Sequence, residues 1–336
     1  MSRVFILLSV VLFSICQTEQ AHFLTDDYIN QINNEATTWK AGKNFASDTP
    51  VEYFKSMLGS KGVRKSSKGP LKTDDSNYIN FHYIPPIFDA RIRWRHCQTI
   101  GHVRDQGMCG SCWAIATTSA FSDRLCIATD RKFNQLISAE KLTFCCYFCG
   151  FGCFGGWPIM AWRYFKYFGI VTGGDYGSNE GCQPYRVQPC SVDETGNNTC
   201  SAAHIEKPHR CRRKCYGNTT IDYHNDHFYT RDAYHLTAAM IRKDVMAYGP
   251  VEASFDVYDD FFSYESGVYV KTENATYLGR HSVKLIGWGV DWDVPYWLMV
   301  NSWNPNWGDK GMFKIRRGTN ECGIEDLVTG GVPVTY

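Results

Sequence analysis

The chain has almost no net charge: 35 Lys and Arg face 34 Asp and Glu, leaving +1 with histidine neutral. Such a balance leaves no electrostatic footprint for nucleic acid or an anionic membrane surface. Internal repeats and long low-complexity tracts are absent. Beyond the N-terminus, no apolar run is long enough to span a bilayer. What is plentiful points elsewhere. The 336 residues suffice for one large or two modest domains, and 44% hydrophobic and 15% aromatic content describe a packed globular protein. Fifteen cysteines indicate an oxidising compartment.

The N-terminus agrees. Arg3 precedes an apolar run from Val4 to Ile15, too short for a membrane span, which reads as a secretory signal. Ser14 and Cys16, or Ala21, offer small residues for cleavage, so the signal is placed at about 1–20. Asn197, Asn218 and Asn274 begin Asn-x-Thr triplets that a secretory route would expose to glycosylation. Residues 21–83 are polar. Asp26 to Trp39 is a candidate helix, and Gly59 to Lys72 is a Gly/Ser/Lys-rich stretch of the kind proteases nick. By composition this segment fits a small adaptor domain equally well.

One stretch organises the rest: Asp105-Gln-Gly-Met-Cys109-Gly-Ser-Cys112-Trp113. After it, Ala114 to Ala128 runs without Gly or Pro, with Ile115, Phe121 and Leu125 at helical spacing. Ser111 is a candidate N-cap, which puts Cys112 in the first turn. The positive end of a helix dipole favours a thiolate there. Helix position alone does not choose between a nucleophile and a structural cysteine.

From about Thr230 the texture changes. Val251 to Val257, Gly267 to Val270, His281 to Ile286, Tyr296 to Val300 and Gly311 to Ile315 read as strands. A helical half over about 96–229 followed by a strand-rich half over about 230–336 predicts an α+β fold. Read as cytosolic, Cys145, Cys146, Cys149 and Cys153 would suit a zinc or iron–sulfur site; the secretory signal favours disulfides instead.

The Cys-Gly-Ser-Cys-Trp motif, Gln106 before it, His281 and Asn301-Ser-Trp303 far downstream resemble the papain family of cysteine proteases. From about Thr37 onward the chain is most similar to its cathepsin B-like members. Thr37 to Phe45 looks like their propeptide signature. The resemblance implies an inhibitory propeptide over 21–83 and a mature peptidase over 84–336, starting just before Pro85-Pro86-Ile87. It implies a helical left domain and an antiparallel β-barrel-like right domain, with Cys112 and His281 on opposite walls of the cleft. It further implies disulfides 97–126, 109–153, 145–211, 146–149, 182–215 and 190–200, leaving Cys112 unpaired.

The roles implied follow the chemistry of acyl transfer. Cys112 is the nucleophile, a thiolate against protonated His281. Asn301 orients the imidazole, and Trp303 shields that contact from water. Gln106 and the Cys112 N–H form the oxyanion hole. Gly155 and Gly156 bind substrate main chain, and the carbonyl of Arg280 accepts from it. Pro158, Ser282 and Leu327 line the pocket for the second residue before the scissile bond. Implied partners are protein and peptide substrates, the propeptide and cystatin-type inhibitors; the protein is expected to be a monomer without cofactor or metal, in lysosomes or outside the cell.

Three positions depart from the family pattern. Gly279-Arg280-His281 puts a guanidinium beside the imidazole: without a carboxylate partner it would lower the histidine pKa, and pointing into solvent it would do nothing. Leu327 stands where a glutamate is usual. The loop Cys190 to Cys200 carries Val192 and Asp193 where the family has two histidines. Three activities stay open on this reading: an endopeptidase, a dipeptidyl carboxypeptidase and a non-catalytic binding relative.

Overall fold

The computed structural model describes residues 22–62, 70–72, 83–189 and 206–335. The signal, Asn197, the Cys190–Cys200 pair and the loop between them with Val192, Asp193 and Glu194 lie outside the described residues.

Helix α1 (Asp26–Glu35) begins where Thr25 Oγ1 accepts from the Tyr28 N–H, with Asp26 and Asp27 in the first turn. Ile29 and Ile32 are its buried face. The helix stops four residues before the expected Trp39. Thr37 and Thr38 are β-branched, and β1 (Trp39–Ala41) pairs with a strand of the main sheet instead, so tertiary pairing overrode the helical pattern. Helix α2 (Val51–Met57) lays Phe54 against Phe23, Phe45 and Phe262 at ring separations of 5.0, 4.9 and 4.6 Å.

After β2 (Leu71–Lys72), β3 (Phe88–Asp89) and the short α3 (Ala90–Arg93), the chain enters its helical half. Helix α4 (Cys112–Ala128) is buried along nearly its whole length. Around it pack α5 (Ala139–Cys145) and α6 (Pro158–Phe168), with Phe121 stacked on Phe165 at 4.9 Å. β4 (Tyr234–Leu236) and α7 (Ala238–Tyr248) lead into β5 (Val251–Tyr258), β6 (Tyr264–Tyr269), β7 (Tyr277–Asp291), β8 (Val294–Val300), β9 (Met312–Arg316) and β10 (Leu327–Gly330).

These strands form one sheet in the order β1-β6-β9-β8-β7-β5-β10-β4-β2, with β3 on β7. The N-terminal segment thus supplies a strand at each end, β1 on β6 and β2 on β4. Apolar residues of α1, β1 and α2 belong to the same core cluster as the sheet, so this segment is built into the fold. Lys284 on β7 reaches Asp123 on α4 at 2.8 Å, both buried, which ties the two halves together. Disulfides join Cys97–Cys126, Cys109–Cys153, Cys145–Cys211, Cys146–Cys149 and Cys182–Cys215. Among the described residues Cys112 and Cys322 are free.

Candidate active site

Cys112 is the first residue of α4 and is fully buried. Ser111 precedes it as N-cap, but its hydroxyl bonds Tyr185 Oη at 2.6 Å rather than capping the helix. Across the cleft His281 sits on β7, opposite Phe255 of β5. Its Nε2 lies 2.8 Å from Asn301 Oδ1, which also accepts from the Ser302 N–H at 2.8 Å. That oxygen can only accept, so Nε2 carries the proton and Nδ1 keeps its lone pair. Trp303 covers the pair, its ring 4.7 Å from the imidazole and stacked at 4.9 Å on Phe262, the ring that also holds Phe54. One aromatic train therefore runs from the N-terminal segment to the histidine.

Gln106 is fixed by Ser302 Oγ, which donates to its Oε1 at 2.7 Å. Its Nε2 donates to Cys109 O at 2.7 Å and to Met57 O at 2.9 Å. The residues after Met57 thread the cleft. The Gly59 N–H points at Cys112 Sγ, 3.3 Å away. Gly156 N–H donates to Gly59 O and Gly156 O accepts from Lys61 N–H, each at 2.9 Å. Ser60 N–H donates to Arg280 O at 3.0 Å. Gly59 to Gly62, expected as exposed linker, is instead held against the site. A Cβ at Gly59 would lie 1.8 Å from Gly110 O, and one at Gly155, whose φ is +97°, 2.4 Å from Gly59 O. Backbone approaches this close require glycine on both sides.

Burial under this segment controls ionisation. It pushes the Cys112 thiol up to about 11, against the pull of backbone N–H donors from Ser282, Gly59 and Trp113. It drops His281 to about 4, only partly offset by Asn301. While the segment covers the site, burial works against the charged forms of both groups. Water that would solvate the charges is excluded. The Arg280 guanidinium turns away from the ring to Asp256, its cross-strand neighbour, with Nε and NH2 at 2.8 and 2.7 Å from Oδ1.

Leu327 and Pro158 line one pocket, with Trp157, Ile159, His235, Glu252, Ser254 and Thr329. Ser282 Oγ lies 2.9 Å from Ser254 Oγ, one of the lining residues. Glu252 is the residue sequence reasoning missed. It is fully buried; Oε1 accepts from Ser254 Oγ at 2.6 Å and Oε2 from Thr329 Oγ1 at 2.5 Å. The signal was a carboxylate on the inward side of the run Val251 to Val257, flanked across strands by hydroxyls: Thr329 pairs with Glu252 and Ser282 with Ser254. Ser60 Oγ reaches into this network, 2.8 Å from Ser254 Oγ.

Burial raises the Glu252 carboxyl from 4.5 to about 7. The folded state thus holds the proton more tightly than the unfolded chain. That stabilisation is complete below the unfolded value and is lost as pH rises through about 7. The swing amounts to about 3 kcal/mol. Glu252→Gln, isosteric and always neutral, is expected to remove it. Melting temperatures of the two proteins, measured in a Cys112→Ser background from about pH 4 to 8, should diverge toward neutrality. A difference independent of pH would contradict the titration of this carboxyl.

The family models agree with this arrangement. "Papain family cysteine protease" matches residues 84–332 and "Peptidase family C1 propeptide" residues 24–64. A cathepsin B-like cysteine proteinase of Caenorhabditis elegans is 43% identical over 311 residues, spanning 90% of each chain. One from Schistosoma japonicum is 39% identical over 314 residues, spanning 92% of this chain and 91% of its own. A solved procathepsin B from Trypanosoma congolense superposes with a TM-score of 0.80 at 32% identity, covering 93% of this chain and 99% of that one. With its peptidase and propeptide segments both matched, the chain belongs to the papain family of cysteine proteases, among the cathepsin B-like enzymes, and carries its own propeptide.

Proposed function

We propose that the protein, made as a secretory proenzyme, is mainly an endopeptidase that prefers an apolar side chain two residues before the scissile bond. Its signal is placed at 1–20, its propeptide at 21–83 and its peptidase from 84. The observation carrying the site assignment is the peptide already in the cleft: a carbonyl oxygen 2.9 Å from Gln106 Nε2 and a backbone N–H 3.3 Å from Cys112 Sγ. Once the propeptide leaves, water and the oriented imidazole favour transfer of the thiol proton to His281 Nδ1. The thiolate attacks the substrate carbonyl carbon. Gln106 and the Cys112 N–H stabilise the oxyanion, and His281 returns the proton to the leaving amine. Water then hydrolyses the thioester with His281 as base, restoring the thiol. Asn301 holds the ring through its Oδ1.

Leu327 supports the apolar preference, since it cannot pair a guanidinium. Glu252, in the same pocket, has both oxygens occupied by hydroxyls and is neutral in acid, so it leaves the preference standing there. In a substrate panel, Phe or Leu is expected to outperform Arg at that position below about pH 6.

Endopeptidase activity follows from loss of a carboxylate binder. Exopeptidase trimming of dipeptides requires a cation for the terminal carboxylate. The loop Cys190 to Cys200 offers Val192, Asp193 and Glu194, which repel it. Asn306 stands where the family has an aspartate that latches this loop, and the loop contains no arginine. The test is mass-spectrometric tracking of an unblocked peptide. Internal cuts are expected; stepwise loss of C-terminal dipeptides, abolished by C-terminal amidation, would establish the carboxypeptidase instead.

A further inference from the structure

The N-terminal segment meets the peptidase once more after it has left the catalytic cleft. The family propeptide match ends at residue 64, yet residues 70–72 return to the protein. There β2 adds to the outer edge of β4 in parallel register, Leu71 opposite His235 and Lys72 opposite Leu236. The His235 N–H donates to Pro70 O at 2.9 Å. Strands β5, β10 and β4 lie between this added strand and β7, which carries His281.

Successive side chains of a strand point to opposite faces, so one of the two must turn inward. Here the cation does. The Lys72 side chain is 16% exposed, while Leu71 is 56% exposed. Lys72 Nζ stands 3.6 Å from the centroid of the Tyr234 ring and 5.2 Å from that of Tyr248, with Asp244 Oδ2 at 3.8 Å. Two π-faces and a carboxylate suit an ammonium, which only donates. A slip of one residue would bury the leucine and expose the lysine, so apolar burial does not set this register. The slot does. Its walls belong to the peptidase: Tyr234 is on β4, and Asp244 and Tyr248 are on α7. Arg124 donates to Tyr234 Oη and to Asp244, and Tyr234 donates to Asp244, so two of the three walls are held rigidly from within.

We propose that the β4 edge with Tyr234, Tyr248 and Asp244 is a lysine-binding exosite, filled by Lys72 in the proenzyme and opened by processing to another extended segment that carries a lysine. This rests on the reading of residues 21–83 as a removable propeptide.

The test uses fluorescein-labelled peptides 24–64, 24–75 and 24–75 carrying Lys72→Met. Each is titrated against Cys112→Ser enzyme processed in trans and freed of its propeptide, with Kd read by fluorescence anisotropy. Peptide 24–75 should bind about three- to thirtyfold more tightly than either 24–64 or the Lys72→Met form. Tyr248→Leu in the enzyme should shrink the lysine-over-methionine ratio at least about twofold, and Tyr248→Phe should keep it. An excess of unlabelled peptide 66–76 should bring 24–75 down to the affinity of 24–64. Equal Kd for 24–75 and its Lys72→Met form, a ratio unaltered by Tyr248→Leu, or no effect of the excess peptide would overturn the exosite. None of these readouts depends on turnover. A wild-type enzyme inert toward peptides would therefore overturn the protease reading alone, and failure of 24–64 itself to bind would overturn the propeptide reading.

Discussion

Cys112→Ala is expected to lower kcat for peptide hydrolysis by at least about a thousandfold while leaving the fold and the propeptide in place. The thiol is the free sulfur at the head of α4, and the proposed acyl transfer runs through it. A methyl group cannot form the thioester. What remains is binding and the Gln106 amide, which act on the oxyanion without a nucleophile to create it. The propeptide should stay bound because the Gly59 contact to sulfur is one of several. Gly156, Arg280 and Gln106 hold the same segment through backbone bonds that the substitution does not touch. The mutant proenzyme should therefore melt like the wild type and fail to process itself. Processed in trans at the segment following Gly62, it should react with no thiol-directed epoxide at the cleft. Hydrolysis within tenfold of wild type would sink the assignment of Cys112.

Asp244→Ala is expected to destabilise the protein by roughly 3–5 kcal/mol. Asp244 on α7 and Arg124 on α4 form an ion pair with both side chains wholly buried. The guanidinium has a full set of acceptors: Pro250 O at 2.7 Å, Tyr234 Oη at 2.9 Å, Gly331 O at 3.0 Å, Gly249 O at 3.2 Å and the Asp244 carboxylate. Tyr234 in turn donates to Asp244 at 2.8 Å. This knot joins the catalytic helix to β4, α7 and the end of β10. Alanine would leave a guanidinium in the interior with its counter-charge gone, which is what makes breaking such a pair costly. The melting midpoint of a Cys112→Ser proenzyme should fall on the order of 5–15 °C. Replacing both partners together, as Arg124→Met with Asp244→Leu, should cost less than Asp244→Ala alone. Equal losses would mean that packing, and not the stranded charge, sets the penalty.

Much of the candidate site was legible in short stretches. Cys112, Gln106, His281 and Asn301 are each embedded in a local pattern, and acyl transfer needs those residue types. The strands around them were legible too, because β5, β7, β8 and β9 carry β-branched and aromatic runs. Other features were not. Asp26 to Trp39 has one continuous helical look, yet the chain leaves the helix at Glu35 because β6 offers Thr38 and Trp39 a hydrogen-bonding edge. Gly59 to Gly62 has the composition of a linker. Its glycines serve close backbone contact with Gly110 and Gly155, an identity that composition does not separate from flexibility.

The sequence by itself therefore determined the family, the nucleophile candidate with its distant partners, the α+β division and the presence of a propeptide, since each is written in contiguous residues or in their order. Only the tertiary structure decided the ionisation of the covered pair, the partner of Arg280 and the carboxyl in the pocket. Desolvation of Cys112 and His281 comes from a segment some fifty residues upstream of the thiol. Arg280 finds Asp256, and Glu252 finds Thr329, across strand pairs whose register no local stretch encodes. Charge state and pairing depend on what lies within a few ångströms in space, and for these residues those neighbours are far away in the chain.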